Sequence, residues 1–159
     1  MEINSNFNDL LRLLNDAGVR YLMVGGYAVV KYTEPYTTKD LDIWIEPTPE
    51  NAMRALDALR KFGAPAKGVT AEDFLNPDLI YRVGVEPVRV DITSAVAGLE
   101  FPAAWEHRAD ARFDEVIAPV LSIDDLIRAK QAAGRTKDRS QARQLQKAKA
   151  IKPERDKKR

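Results

Sequence analysis

Apolar positions along the chain recur first at the spacing of a helix and then at that of a strand. In FNDLLRLLNDAG, Phe7, Leu10, Leu11 and Leu14 fall on one helical face, with Asn4 or Ser5 placed to cap the start and Gly18 to stop it. VRYLMVGG then reads as a short buried strand closed by Gly25 and Gly26, and YAVVKYT as a short helix packed beneath it. TTKDLDIW follows as a second strand, because Leu41, Ile43, Trp44 and Ile45 suit a pleated, half-buried surface. TPENAMRALDALRKFG predicts a helix running to Gly63, with Thr48 three residues before Asn51 and Pro49 at the first helical position. Its apolar face makes it a cover for a sheet.

The second half repeats the alternation more loosely. LIYRVG and EPVRVDITS read as two strands joined by a tight connection near Gly84 and Glu86, which predicts a hairpin. DEVIAPVLS is a further apolar strand, and Pro119 inside it predicts an edge position. SIDDLIRAKQAAG is a helix with Ser122 as cap, Asp124 and Asp125 in its first turn and Gly134 as terminator, and a polar last helix is expected over about 137–148. There is no internal repeat. The mixture of a hairpin with helices argues for α+β with a mixed sheet flanked by helices, rather than a doubly wound parallel one.

Length and composition fit that picture: 159 residues, 45% hydrophobic and 31% charged, are ordinary for one globular domain. That domain is expected over residues 1–148. The last stretch, 149–159, belongs to a run, KAKAIKPERDKKR, that is strongly basic and has almost nothing apolar to bury. It is expected to be a disordered, solvated tail, with contact to nucleic acid as the alternative. The absence of cysteine excludes disulfides and thiolate metal sites, and the absence of a signal peptide or membrane-spanning run makes a soluble, cytoplasmic protein the expectation.

Two carboxylates interrupt the second strand. Asp40 and Asp42 lie two residues apart, so the period of a strand points both to one face. In VRVDITS, Val88, Val90 and Ile92 form one face while Arg89 and Asp91 point the other way, so a second strand also carries an acid off the core. If the strands are neighbours, Asp40, Asp42 and Asp91 converge. Carboxylates within about 4 to 6 Å raise one another's pKa unless a cation lies between them. Mg²⁺ suits the role, taking oxygen ligands at roughly 2.0 to 2.1 Å and keeping positions for water and phosphates. A lone Asp-x-Asp is more often solvent-facing or guards an edge. Here Gly25 and Gly26, between strand and helix, let backbone N–H groups meet an anion with no side chain in the way, with thirteen residues between Gly26 and Asp40.

This order, in VGGYAVVKYTEPYTTKDLDIWI and VRVDITS, resembles the nucleotidyltransferase superfamily with the DNA polymerase β-like fold. More narrowly, the chain is similar to small bacterial nucleotidyltransferase-like proteins related to abortive-infection toxins and to minimal nucleotidyltransferases. That likeness extends into GLEFPAAWEHR and LSIDDLIRAKQAAGRTKD and covers roughly residues 1–145. The resemblance implies that Asp40 and Asp42 ligate two ions of Mg²⁺ or Mn²⁺, that Asp91 ligates one and helps activate the acceptor hydroxyl, and that Gly25 and Gly26 hold the triphosphate of an NTP such as ATP. Two ions roughly 3.5 to 4 Å apart would clamp the attacking and leaving oxygens of an in-line displacement that releases pyrophosphate.

Relatives commonly carry a Lys and an Arg-x-Lys-Asp near the last turn, matched by Lys130, Arg135 and Lys137; these would pair with triphosphate oxygens or are surface charges. Thr38 bonds the triphosphate or simply starts the strand. Tyr36 stands where relatives often have a basic residue, and Gln141 where they tend to have an acid. His107 is expected at the surface, and Tyr27 and Trp44 are expected to pack rather than stack on a base. Two readings follow. One is a metal-dependent transferase of NMP to a hydroxyl of RNA, protein or a small molecule; the other is a non-catalytic component on the same fold, such as the regulatory half of a toxin–antitoxin pair, whose tail meets RNA or a partner protein.

Overall fold

In chain order the elements are α1 (Ser5–Asp16), β1 (Tyr21–Val24), α2 (Gly25–Tyr32), β2 (Asp40–Ile45), α3 (Pro49–Phe62), a 3-10 helix (Ala71–Leu75), β3 (Ile80–Val83), β4 (Arg89–Thr93), α4 (Phe101–Glu106), β5 (Ala109–Phe113), β6 (Val116–Val120), α5 (Ile123–Ala133) and α6 (Thr136–Lys157). They come from a computed structural model that describes residues 5–33, 40–65, 67–84 and 89–157. The strands form one sheet in the order β3-β4-β2-β1-β6-β5. Pairs β2–β4 and β1–β6 are parallel and the others antiparallel, so the sheet is mixed and the class is α+β.

The period-two pattern decides which face is which. Leu41, Ile43, Val90 and Ile92 are all buried on one face, whereas Asp40, Asp42, Arg89 and Asp91 are half-buried on the other. Tyr21, paired with Ile45, donates its hydroxyl to Asn15 Oδ1 at the end of α1, which places α1 over the core face. Phe7, Leu10, Leu11 and Leu14 are all at most 1% exposed there, and each such side chain contributes about 1.5 to 3 kcal/mol by leaving water. The Thr48 cap on α3 accepts from Asn51 N–H, and the buried Asn51 amide donates to Arg20 O and Glu46 O while accepting from Arg20 N–H. Those bonds fix the start of β1 and the end of β2. The opposite ends, where β1 stops and β2 begins, carry the acids.

Several boundaries differ from the sequence pattern. Pro119 predicts an edge, yet β6 lies between β1 and β5. The β1–β6 register is the single pair Met23↔Val120, with Leu121 N–H donating to Met23 O, so the N–H that Pro119 lacks falls where that ladder is already ending. The edge on that side is β5, which gives little apolar signal because Ala109 and Ala111 occupy two of its inward positions. It closes onto β6 through a two-residue turn in which Asp114 adopts φ 56°, and Asn8 Nδ2 donates to its carboxylate at 2.8 Å. Helix α6 continues past Ala148 to Lys157, burying Asp138, Gln141, Ala142 and Leu145 on one stripe, and Lys149 pairs with Asp124 of α5. The β3–β4 hairpin is present; Glu86 and Val88 lie outside the described residues. Among the described residues no helix is long and apolar enough to cross a membrane.

Candidate active site

The parallel pairing of β2 with β4 brings the acids together. Asp42 stands directly beside Asp91 in the register, and Asp40 beside Arg89. Adjacent strands are about 4.7 to 4.9 Å apart, and paired residues point to the same face, so Asp42 and Asp91 are immediate neighbours. Antiparallel pairing sets Val24 of β1 opposite Asp42 on the other side. The next residue is Gly25, with φ 72°.

Gly25 touches the central acid. A Cβ added to it would stand 2.1 Å from Asp42 Oδ2 and 2.8 Å from its Cγ. Only glycine lets the start of α2 lie on this carboxylate, and only glycine adopts the left-handed conformation without strain. Among the described residues no side chain caps α2 at Val24, where the helix begins on this carboxylate.

Cationic side chains ring the acids. Arg89 binds Asp91 with two bonds, Nη2 to Oδ2 at 3.1 Å and Nε to Oδ1 at 3.3 Å, and Arg82 Nε donates to Asp91 Oδ1 at 3.2 Å. Arg89 Nη2 also lies 3.9 Å from Asp40 Oδ2. On α5, Lys130 lies near enough to Asp42 for the two charges to interact, and its Nζ is 3.6 Å from Oδ1 of the buried Asp138. Arg135 Nε closes on Asp138 Oδ2 at 2.7 Å.

The titration behaviour follows from this crowding. Burial first, then the charges of Asp91 and Asp40, push the Asp42 carboxyl up to about 6, against the pull of Lys130 and Arg89. Burial pulls Lys130 below its ordinary value, and Asp138 opposes it. Burial also acts to raise Asp138, but the Arg135 hydrogen bond and the Lys130 charge outweigh it and hold that carboxyl low. The folded pKa of Asp42 lies above its unfolded value near 4. Its contribution to stability is therefore fully present below about pH 4 and lost as the pH rises through about 6.

The donor set suits a hard divalent cation. It is all oxygen, it is held on adjacent strands, and Asp40 Oδ1 is buried with no hydrogen-bond partner among the described residues. Among those residues no three ligating side chains close round one point, and both oxygens of Asp91 are turned to guanidinium groups.

The other expected residues divide. Lys130 joins the acids. Arg135 is directed to Asp138 instead, and Lys137 is exposed on the first turn of α6. Thr38 and Tyr36 lie outside the described residues. His107 is largely exposed, with Nδ1 3.5 Å from Asp125 Oδ2. Tyr27 packs edge-on against Phe7 and Phe113, and Trp44 against Phe101. Arg82, Arg89 and Asp138 were not singled out for roles by the motif reading. The alternation of β4 had already put Arg89 on the face of Asp91. A cavity of about 190 Å³ lies elsewhere, between the 3-10 helix and β3, lined by Phe74, Leu79 and Tyr81 among others. The acids lie outside it.

The Asp-x-Asp strand, the third acid beside it and the glycine turn thus lie together on one mixed sheet. The chain belongs to the family described as nucleotidyl transferase of unknown function (DUF2204), whose model matches residues 4–157. A sequence search of curated proteins finds no match. In fold the chain is similar to the lincosamide antibiotic adenylyltransferase LnuA in its lincomycin-bound form, at 14% identity and a TM-score of 0.56, covering 91% of this chain and 97% of that one. It is similar also to TM1012 of Thermotoga maritima, at 15% identity and a TM-score of 0.60, covering 86% and 88%. A third is the antibiotic-resistance factor ANT(2'')-Ia, at 12% identity and a TM-score of 0.57, covering 95% and 91%.

Proposed function

We propose that Asp40, Asp42 and Asp91 hold Mg²⁺ or Mn²⁺ and that the chain transfers the NMP of an NTP to an acceptor hydroxyl. The observation that carries this reading is the register of β2 with β4, which sets Asp42 beside Asp91, together with Gly25 lying on the Asp42 carboxylate. The bound cation would supply the positive charge that stabilises negative charge developing at the α-phosphate. The start of α2 faces the phosphate oxygens, Gly25 and Gly26 allow them close with no side chain in the way, and Lys130, held by Asp138, offers the triphosphate a cation. The acceptor oxygen forms a bond to the α-phosphorus, the bond to the bridging oxygen breaks, and pyrophosphate leaves. Asp91 takes the hydroxyl proton. Arg135, Lys137 and Thr38 are further candidates for contacts to the triphosphate. The names of two fold neighbours, both concerned with antibiotics, support a small-molecule hydroxyl as the first acceptor class to test, ahead of RNA or protein.

The test is thermal. At pH 8, Mn²⁺ with ATP at a hundredfold excess over Kd should stabilise the protein by about 2.7 kcal/mol, or roughly 5 to 10 °C. The shift should shrink as the pH falls below about 6, because the proton competes with the cation for Asp42. Asp42→Asn should remove it at every pH. Equal shifts in the wild type and Asp42→Asn would contradict the assignment.

A further inference from the structure

Among the described residues, Asp91 is the acid of the three whose oxygens are both occupied by other side chains of the protein. Arg89 grips it as a two-bond fork, and Arg82 adds a third bond. The two arginines are not equal: the Arg89 side chain is 27% exposed and Arg82 is 59% exposed, so water screens the Arg82 pair far more. Arg89 also stands opposite Asp40 in the β2–β4 register, with its guanidinium 3.9 Å from Asp40 Oδ2. It therefore lies between the first and third acids of the set. A guanidinium is a poor filler for that place, since Asp40 Oδ1 remains buried without a hydrogen bond among the described residues.

We infer that Arg89 is a positioning residue that acts as the resident counter-cation of the site, so that divalent-cation binding displaces its guanidinium from Asp91 and Arg89 sets the affinity for that cation. This inference rests on the metal-binding reading above. A guanidinium and a divalent cation held on the same carboxylate repel each other at this range, so the ion binds more favourably once Arg89 has withdrawn. Arg89 thus stabilises the ion-free protein and opposes the ion. A plain structural tie between β2 and β4 would behave differently, because its loss would weaken folding and ion binding together.

The experiment titrates Mn²⁺ alone into the full, ion-free chain, following free Mn²⁺ by electron paramagnetic resonance, and records Tm in EDTA for each variant. Arg89→Gln should bind Mn²⁺ about tenfold more tightly, the size expected of a lost charge-assisted pair, while its Tm in EDTA falls. Arg82→Gln, at the exposed pair, should change Mn²⁺ affinity by less than about threefold. Arg89→Lys keeps the charge and loses the fork; it should bind Mn²⁺ about threefold more tightly and covers the case in which the neutral variant does not fold. Unchanged or weaker Mn²⁺ binding in the folded Arg89 variants would overturn the inference while leaving the metal site standing. Failure of the wild type to bind Mn²⁺ in a manner abolished by Asp42→Asn would instead overturn the metal site, and this inference with it.

Discussion

Replacing Asp42 by Asn is expected to lower NMP transfer by about 1,000-fold, the upper end of the range for losing one electrostatic contact to developing charge. The same change should leave the fold intact. Asp42 sits beside Asp91 in the register and beneath Gly25, and its carboxyl is already pushed up to about 6 by burial and by the two neighbouring acids. Asn keeps the shape and removes the repulsion. In EDTA at pH 8 the variant should therefore melt at or above the wild-type temperature, by up to about 3 kcal/mol of relieved cost, since each pH unit of displacement corresponds to about 1.36 kcal/mol. Steady-state kcat and a melting curve on one preparation check both halves. Transfer within tenfold of wild type, or loss of activity through unfolding, would contradict the role.

Gly25→Ala should come close to that effect by a different route. Its Cβ would stand 2.1 Å from Asp42 Oδ2, so either the carboxylate turns away or the start of α2 moves. The positive φ adds strain of about 1 to 3 kcal/mol. We expect transfer to fall by at least about 100-fold, because a displaced charge is worth nearly as little as a missing one. Gly18→Ala separates the two causes, since Gly18 shares the positive φ but a Cβ there meets nothing within 4 Å. It should lose stability and keep kcat. If Gly25→Ala and Gly18→Ala lose the same stability and neither loses kcat, Gly25 is a turn residue only.

Much of this was legible because the informative signals are local. The helical stripe of α1, the Thr48 cap and the Asp40–Asp42 alternation each depend on side chains a few residues apart, and each is found where its spacing predicts. The convergence of Asp91 needed one long-range fact, that β4 pairs parallel with β2, which no local pattern encodes. The same holds for β6: Pro119 reads locally as an edge signal, while the strand pairing that makes it interior involves Met23, nearly a hundred residues earlier. β5 was missed because alanine occupies inward positions where a larger apolar residue would have marked the alternation. Arg89 and Arg82 were invisible as partners of Asp91 for a related reason. Their roles depend on rotamers and on a neighbouring strand, and the sequence shows only their face.

The central claim is nucleotidyl transfer, and the position of the transferred phosphorus tests it most directly. The protein is incubated with Mg²⁺ and ATP labelled with ³²P at either the α or the γ position, then with each of the other NTPs, offering pooled small-molecule alcohols that include lincomycin, cellular RNA and protein as acceptors. The account predicts label on an acceptor from the α position alone, with pyrophosphate released and the product absent for Asp42→Asn. Transfer from the γ position would make the protein a kinase. Binding of ATP and Mn²⁺ without α-label transfer to any acceptor would contradict the catalytic assignment and leave a non-catalytic binding component on the nucleotidyltransferase fold.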